Sequence, residues 1–252
     1  MNRRSRTEPA GRPVVQLTDR DKLVLQAIAE CGCLSTEQLA RLAFPSADRA
    51  RRRLRMLHDA RYLGAFLTSS RESTVFVITR DGLQALKDSG LDVTGLRVAV
   101  PARASALPHA LMISDVRLYL AGLRSRGDPV LTAWETGKGS AAAACQLTSN
   151  GIAPDGLAWL SLPTRTVLVA VECDRGNEGQ ALTDKISRYF KWFVGRSACE
   201  LWLIVSGGEQ QIQQARRLCL RLGVGKWARV LSQEWVNCRP VKAPPPRLEI
   251  GG

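Results

Sequence analysis

SADRARRRLRMLHDAR, residues 46–61, decides how the first part of the chain is read. The pattern predicts one helix. Ser46 stands where a hydroxyl can accept from the first free backbone N–H groups, which makes it a candidate N-cap. Ala50, Leu54 and Leu57 recur at i, i+4 and i+7 and form one apolar face. At 100° per residue, Arg49, Arg51, Arg52 and Arg55 turn away from that face and Arg53 lies on its flank. Guanidinium groups suit phosphates and guanine edges because their planar fork donates two parallel hydrogen bonds. Two readings follow, a DNA-recognition helix or a solvated arginine-rich surface helix. Its neighbours decide between them.

Upstream, Thr18 is placed to cap a helix whose first turn carries Asp19 and Asp21, favourable to the helix dipole. Leu23, Val24, Leu25 and Ile28 are its expected buried side, and Gly32 ends it. STEQLARLAF at 35–44 reads as a short second helix with a capping box from Ser35 to Gln38, stopped by Pro45. Downstream, residues 62–68 and 74–79 are rich in β-formers around a polar SSRES turn, so a hairpin is expected. Helix, helix, basic helix, hairpin is the plan of a winged helix-turn-helix. In that plan the helix at 46–61 reads DNA through Arg49, Arg51, Arg52, Arg53 and Arg55, and Arg71 sits at the tip of the wing. A winged helix used for protein contact is the competing reading. A further helix at 81–89 closes this domain, expected at 17–90.

The whole chain agrees with a nucleic-acid partner. Its 252 residues hold 36 Lys and Arg against 23 Asp and Glu, a formal net charge of +13. A strongly basic balance favours nucleic acid over an anionic membrane surface. No apolar run approaches the roughly 20 residues of a membrane span, so no membrane partner is expected. The basic opening MNRRSRTEPAGRP lacks the apolar stretch of a signal peptide. Residues 1–16 read as a disordered basic arm that lies along DNA or serves solubility. Seven cysteines without a CxxC spacing and only two histidines argue against structural zinc and for reduced thiols in a cytoplasmic protein. The Cys31–Cys33 pair at a helix end is a weak redox candidate. TGKGS at 136–140 and GVGK at 223–226 are not P-loops, since Thr132 and Leu220 stand where the first glycine must be.

After a linker at 91–105, a second domain is expected over 106–238, with a proline-rich disordered tail at 239–252. Its pattern predicts a helix at 106–126, with Leu107, Leu111, Val116, Leu118, Leu120 and Leu123 among its apolar positions. Strands follow at 130–135, 152–160 and 166–172, then a helix at 180–194, a strand at 200–205, a helix at 209–222 and a strand at 228–231. The expected fold class is therefore α+β, a winged helix-turn-helix followed by an α/β sandwich.

Acidic residues cluster in the second domain. Asp155 opens one strand, and Glu172 and Asp174 close the next strand of the same hairpin. Adjacent strands lie about 5 Å apart, so Asp155 and Glu172 can meet. Two carboxylates at a sheet end could hold Mg²⁺, which takes few protein ligands. Lys185, Arg188 and Tyr189 follow on one helix face. This arrangement resembles the PD-(D/E)xK nuclease fold, in which Asp155, Glu172, Asp174 and Lys185 would be catalytic. The chain departs from it where Asp174 occupies the usual place of the lysine, leaving Lys185 to take that role. The competing reading is an ion-pair network at a strand–helix junction.

Together, residues 17–63, LPHALMISDVRLYL at 107–120, PDGLAWL at 154–160 and VECDRGNEGQALTDKISRYFKW at 171–192 resemble the replication-relaxation family of plasmid and integrative-element proteins. The E-x-D-R-G-x-E run with K-x-x-R-Y is its more specific part. The resemblance implies a DNA-binding protein acting in plasmid replication, its control, or transfer. Expected partners are double-stranded DNA and replication or mobilisation proteins, with a homodimer as a candidate state. The alternatives are a metal-dependent endonuclease targeted by the winged helix and a basic module for an acidic protein.

Overall fold

A computed structural model describes residues 15–67, 73–98, 104–123, 130–136, 145–176 and 179–237. Thr68 and Arg71 in the predicted wing, Glu178, Cys238 and nearly all of both predicted disordered termini lie outside them. The chain has mixed α and β structure in two compact units, Met1–Leu111 and Met112–Gly252.

The first unit begins with α1 (Asp19–Cys31). Its N-terminus is closed by a reciprocal capping box: Thr18 Oγ1 accepts from Asp21 N at 3.3 Å and Asp21 Oδ2 accepts from Thr18 N at 2.7 Å. Val24, Leu25 and Ile28 are fully buried, but Leu23 is 47 % exposed. The expected burial of Leu23 is thus corrected. At 100° per residue it falls on the side opposite Val24, Leu25 and Ile28. Gly32 ends the helix at φ 82°, a conformation that costs glycine little.

The strand β1 (Leu34–Ser35) is only two residues long, too short to carry a period that a sequence displays. α2 (Thr36–Ala43) has the expected capping box, with Gln38 N donating to Ser35 Oγ at 3.2 Å and Ser35 N to Gln38 Oε1 at 2.8 Å. α3 (Ala47–Asp59) is capped by Ser46 and buries Ala50, Leu54 and Leu57 completely. The hairpin β2 (Leu63–Leu67) and β3 (Thr74–Ile78) pairs Leu63 with Ile78 and Leu67 with Thr74. β3 is central in the antiparallel order β1-β3-β2, which explains why it is buried while β2 is largely exposed.

α4 (Arg80–Asp88) packs so closely that a Cβ on Gly82 would lie 2.3 Å from the Tyr62 carbonyl oxygen. Backbone cannot yield as a side chain can. Gly82→Ala is expected to destabilise the unit by about 1–3 kcal/mol, read as a lowered midpoint in urea unfolding; an unchanged midpoint would contradict this packing.

Helix α5 (Leu107–Leu123) follows a 3₁₀ turn at Ala104–Ala106, and the division between the units falls within it. In the first unit, Leu107 joins Cys33, Val75 and Val77 in one cluster. In the second, Met112, Val116, Tyr119 and Leu120 are buried, while Leu118 is only half-buried.

The second unit is built on a five-stranded sheet in the order β4-β5-β6-β7-β8: β4 (Val130–Thr136), β5 (Gly156–Leu162), β6 (Arg165–Asp174), β7 (Cys199–Val205) and β8 (Ala228–Ser232). The first two pairings are antiparallel and the last two parallel. Parallel strands need a crossover, supplied by α6 (Gly179–Phe193) and α7 (Glu209–Arg221). A short α8 (Gln233–Asn237) ends the described chain.

Both sheet faces are covered. Ala170, Leu201 and Leu203 face Ile186, Tyr189 and Phe193 of α6 and Ile212 of α7. Val169, Val171, Trp202 and Ile204 face Val116 and Tyr119 of α5 and Val236 of α8. The unbroken apolar run of β7 reflects this burial on both sides. β5 begins at Gly156, not at Ile152 as expected: Pro154 has no N–H for a ladder, and Ile152 is buried in the loop instead. Among the described residues no helix is long and apolar enough to cross a membrane.

Candidate functional site

The five arginines of α3 fall into three kinds. Arg49, Arg52 and Arg55 are exposed, and their guanidinium groups have no hydrogen-bond or ion-pair partner among the described residues. Arg51 Nη1 meets Asp48 Oδ1 at 2.8 Å, but both side chains are largely in solvent. Such a pair is worth at most about 1 kcal/mol, so Arg51 is easily released to another anion.

Arg53 is different. Its Nε donates to Asp21 Oδ1 at 2.8 Å and its Nη2 to Asp21 Oδ2 at 2.5 Å and to the Gln16 carbonyl at 3.0 Å. Asp21 is completely buried. Burial pushes the Asp21 carboxyl up, but hydrogen bonds from Arg53 and Thr18 outweigh it and hold the group below its ordinary value. The same bonds raise Arg53 above its own. Arg53, counted with the DNA-reading residues from its position alone, therefore ties α3 to α1. Arg71 lies outside the described residues.

The acidic residues of the second unit converge where β6 ends. Asp155, just before β5, accepts from Cys173 N through Oδ2 at 2.8 Å. Glu172 lies two residues from Asp174 on the same face of β6, the face toward α6. Lys185 Nζ donates to Glu172 Oε2 at 2.8 Å, and Tyr189 Oη donates to Oε1 at 2.7 Å. Lys185 thus reaches the carboxylate from the helix, as its position suggests. Tyr189, on the same helix face, supplies the second donor, a role that spacing alone does not display. Arg188 turns elsewhere, donating to the Gly151 carbonyl at 2.9 Å. Asp174 Oδ1 accepts from Gly176 N at 3.0 Å.

Glu172 is 1 % exposed. Burial, helped by the nearby Asp155 charge and opposed by Lys185 and Tyr189, lifts its carboxyl from 4.5 to about 7. A divalent cation needs ionised oxygens facing an open coordination sphere. Here both Glu172 oxygens are engaged by protein donors. Among the described residues no three His, Cys, Asp or Glu side chains gather to share a metal ion. In this arrangement a cation at Asp155 and Glu172 would have to displace Lys185 or Tyr189, and no chemical step is assigned to one.

The raised carboxyl has a consequence for stability. The folded state holds the Glu172 proton more tightly than the unfolded chain, so its contribution is greatest below 4.5 and is lost as pH rises toward about 7. Melting temperatures from about pH 4.5 to pH 8 are expected to show this decline, and Glu172→Gln is expected to flatten it. An identical slope in the variant would refute the assignment.

Burial, and then Cys31, raise the Cys33 thiol to about 11, the reverse of the acidified thiolate of a redox motif.

No curated protein matches the chain. A family model described as replication-relaxation matches residues 25–200, more than half of the sequence, and the chain belongs to that family.

Proposed function

We propose that the chain binds double-stranded DNA of a plasmid or other mobile element and acts in its replication or relaxation, reading the duplex through a winged helix-turn-helix at residues 17–90. The order α1, β1, α2, α3, β2, β3, α4 with the sheet order β1-β3-β2 supports the winged plan. The observation that carries the reading is the three exposed guanidinium groups of Arg49, Arg52 and Arg55, unpaired among the described residues, on a helix whose other face is fully buried. Near the N-terminus of α3, Arg49 and Arg52 read base edges; Arg55 and Arg51 hold phosphates.

Single alanine substitutions at Arg49, Arg52 and Arg55 are each expected to weaken binding, by about 1–3 kcal/mol where the residue reads a base. Fluorescence anisotropy with candidate origin DNA at physiological salt measures this. Unchanged affinity in all three variants would sink the proposal. Binding that disappears at that salt in the wild type would instead favour an acidic protein partner, since purely electrostatic contact decays steeply with ionic strength.

The second unit supports a PD-(D/E)xK-like core by its order α5, β4, β5, β6, α6, β7. In this proposal it serves as a platform for replication or mobilisation proteins or for a second copy of the chain. An endonuclease is the alternative, favoured by the convergence of Asp155, Glu172 and Lys185 from distant positions. Supercoiled plasmid incubated with protein, in EDTA or in Mg²⁺ or Mn²⁺, separates the two. Intact supercoils in every lane fit the platform. Nicking that requires metal and is lost in Asp155→Ala and Glu172→Ala would establish the nuclease.

A further inference from the structure

α6 and α7 lie on the same face of the sheet but are not packed along their whole length. At one end they are close: a Cβ on Gly223, just past α7, would lie 3.1 Å from the Phe190 ring of α6. Elsewhere Gly179, Thr183 and Ala215 are small, and a cleft of about 570 Å³, lined by α7 from Gln211 to Arg221, opens between the helices beside the end of β6.

The cleft has an acidic floor at Asp174, walls that mix Leu182, Ala215 and Leu218 with Thr183, Gln211 and Gln214, and a basic rim. Asp174 lines it while only 6 % exposed. Its Oδ1 takes the Gly176 N–H at 3.0 Å, and Oδ2 has no partner among the described residues. Leu182 and Leu218 contribute apolar surface from the two helices. Arg217 and Arg221, one turn apart on α7, line the cleft with exposed guanidinium groups unpaired among the described residues. A ligand complementary to this arrangement carries N–H donors at one end, a flat apolar body and an anion at the other.

We infer that this cleft binds a guanosine 5′-phosphate unit. An ionised carboxylate only accepts hydrogen bonds, so its complement is an edge with adjacent N–H donors. Guanine presents N1–H and its 2-amino group side by side. Adenine and cytosine set their amino group beside an acceptor nitrogen, which would face the carboxylate lone pairs. Uracil and thymine flank their single N–H with two carbonyl oxygens. Leu182 and Leu218 hold the ring, and the guanidinium forks of Arg217 and Arg221 take the phosphates. The same unit can come from a free nucleotide or from the 5′-phosphorylated end of a DNA strand. The inference goes beyond the DNA reading of α3 and uses none of its residues.

The test is calorimetric titration of the full chain with GDP, ADP and UDP, and with short single strands that begin in 5′-phosphorylated dG or dA. GDP, the dG strand or both are expected to saturate one site, at least about tenfold more tightly than the other bases, because a site built on a hydrogen-bonding edge rejects analogues that lack it. Saturation by GDP identifies the free nucleotide as a ligand; saturation by the strand alone identifies a strand end. Asp174→Asn is expected to erase the preference for guanine. Arg217→Ala with Arg221→Ala, at exposed positions that leave the fold intact, is expected to weaken all bases about tenfold without changing their ranking. No saturation by any guanine probe, equal binding of guanine and adenine, or unchanged affinity in the double arginine variant would overturn the inference.

Discussion

Arg53→Ala is expected to destabilise the first unit by about 3–5 kcal/mol, the usual cost of leaving one charge of a buried pair uncompensated. Asp21 is wholly buried and receives two donors from Arg53. Without them its carboxylate would keep only the Thr18 bonds of the capping box. Arg53→Lys should recover part of the loss, since an ammonium gives a charge but not the two-pronged fork. Arg52→Ala removes a neighbouring guanidinium of the same chemistry from solvent and should change stability by no more than about 0.5 kcal/mol. Urea unfolding of the three variants measures the contrast. If Arg53→Ala folds as stably as the parent yet loses DNA, Arg53 is a DNA contact and the pairing with Asp21 is not what holds it.

Arg229→Ala should have a similar effect in the second unit, again about 3–5 kcal/mol. Arg229 of β8 donates from Nε to Glu200 Oε2 at 2.6 Å and from Nη2 to Oε1 at 3.0 Å, and Glu200 is 4 % exposed. The Trp202 indole adds a third donor to Oε2 at 3.0 Å. Replacing both partners with apolar residues of similar size should cost far less than removing the arginine, because the desolvation of two charges disappears with their attraction. A double-mutant cycle on Glu200→Leu and Arg229→Met tests this. Strictly additive losses would show that the two side chains are not coupled.

These two pairs also mark what could be read from the sequence. The apolar face of α3, the Ser35–Gln38 capping box, the Thr18 cap and the unbroken strand β7 follow from spacing within one element, and spacing is what a sequence displays. Partner choice is not local. Asp21 and Arg53 stand in separate helices, and Glu200 meets Arg229 only because Trp202 aligns with Arg229 across parallel strands. Asp155 and Glu172 could be brought together in advance because a hairpin fixes its own register. That Tyr189 and Lys185 would occupy both Glu172 oxygens required the angle at which α6 crosses the sheet. The cleft at Asp174 was invisible for the same reason: it exists where two helices fail to touch.

The two sheets also differ in how they can be assembled. In the second unit every strand pairs with its neighbour along the chain, so β4 to β8 can be laid down one at a time as synthesis proceeds. The first sheet must wait for its last strand, β3, which inserts between β1 and β2 and closes a long loop back to Leu34. Loop closure of that kind slows folding. The small sheet of the first unit thus closes only after its hairpin is complete, whereas the five-stranded sheet of the second grows by short steps.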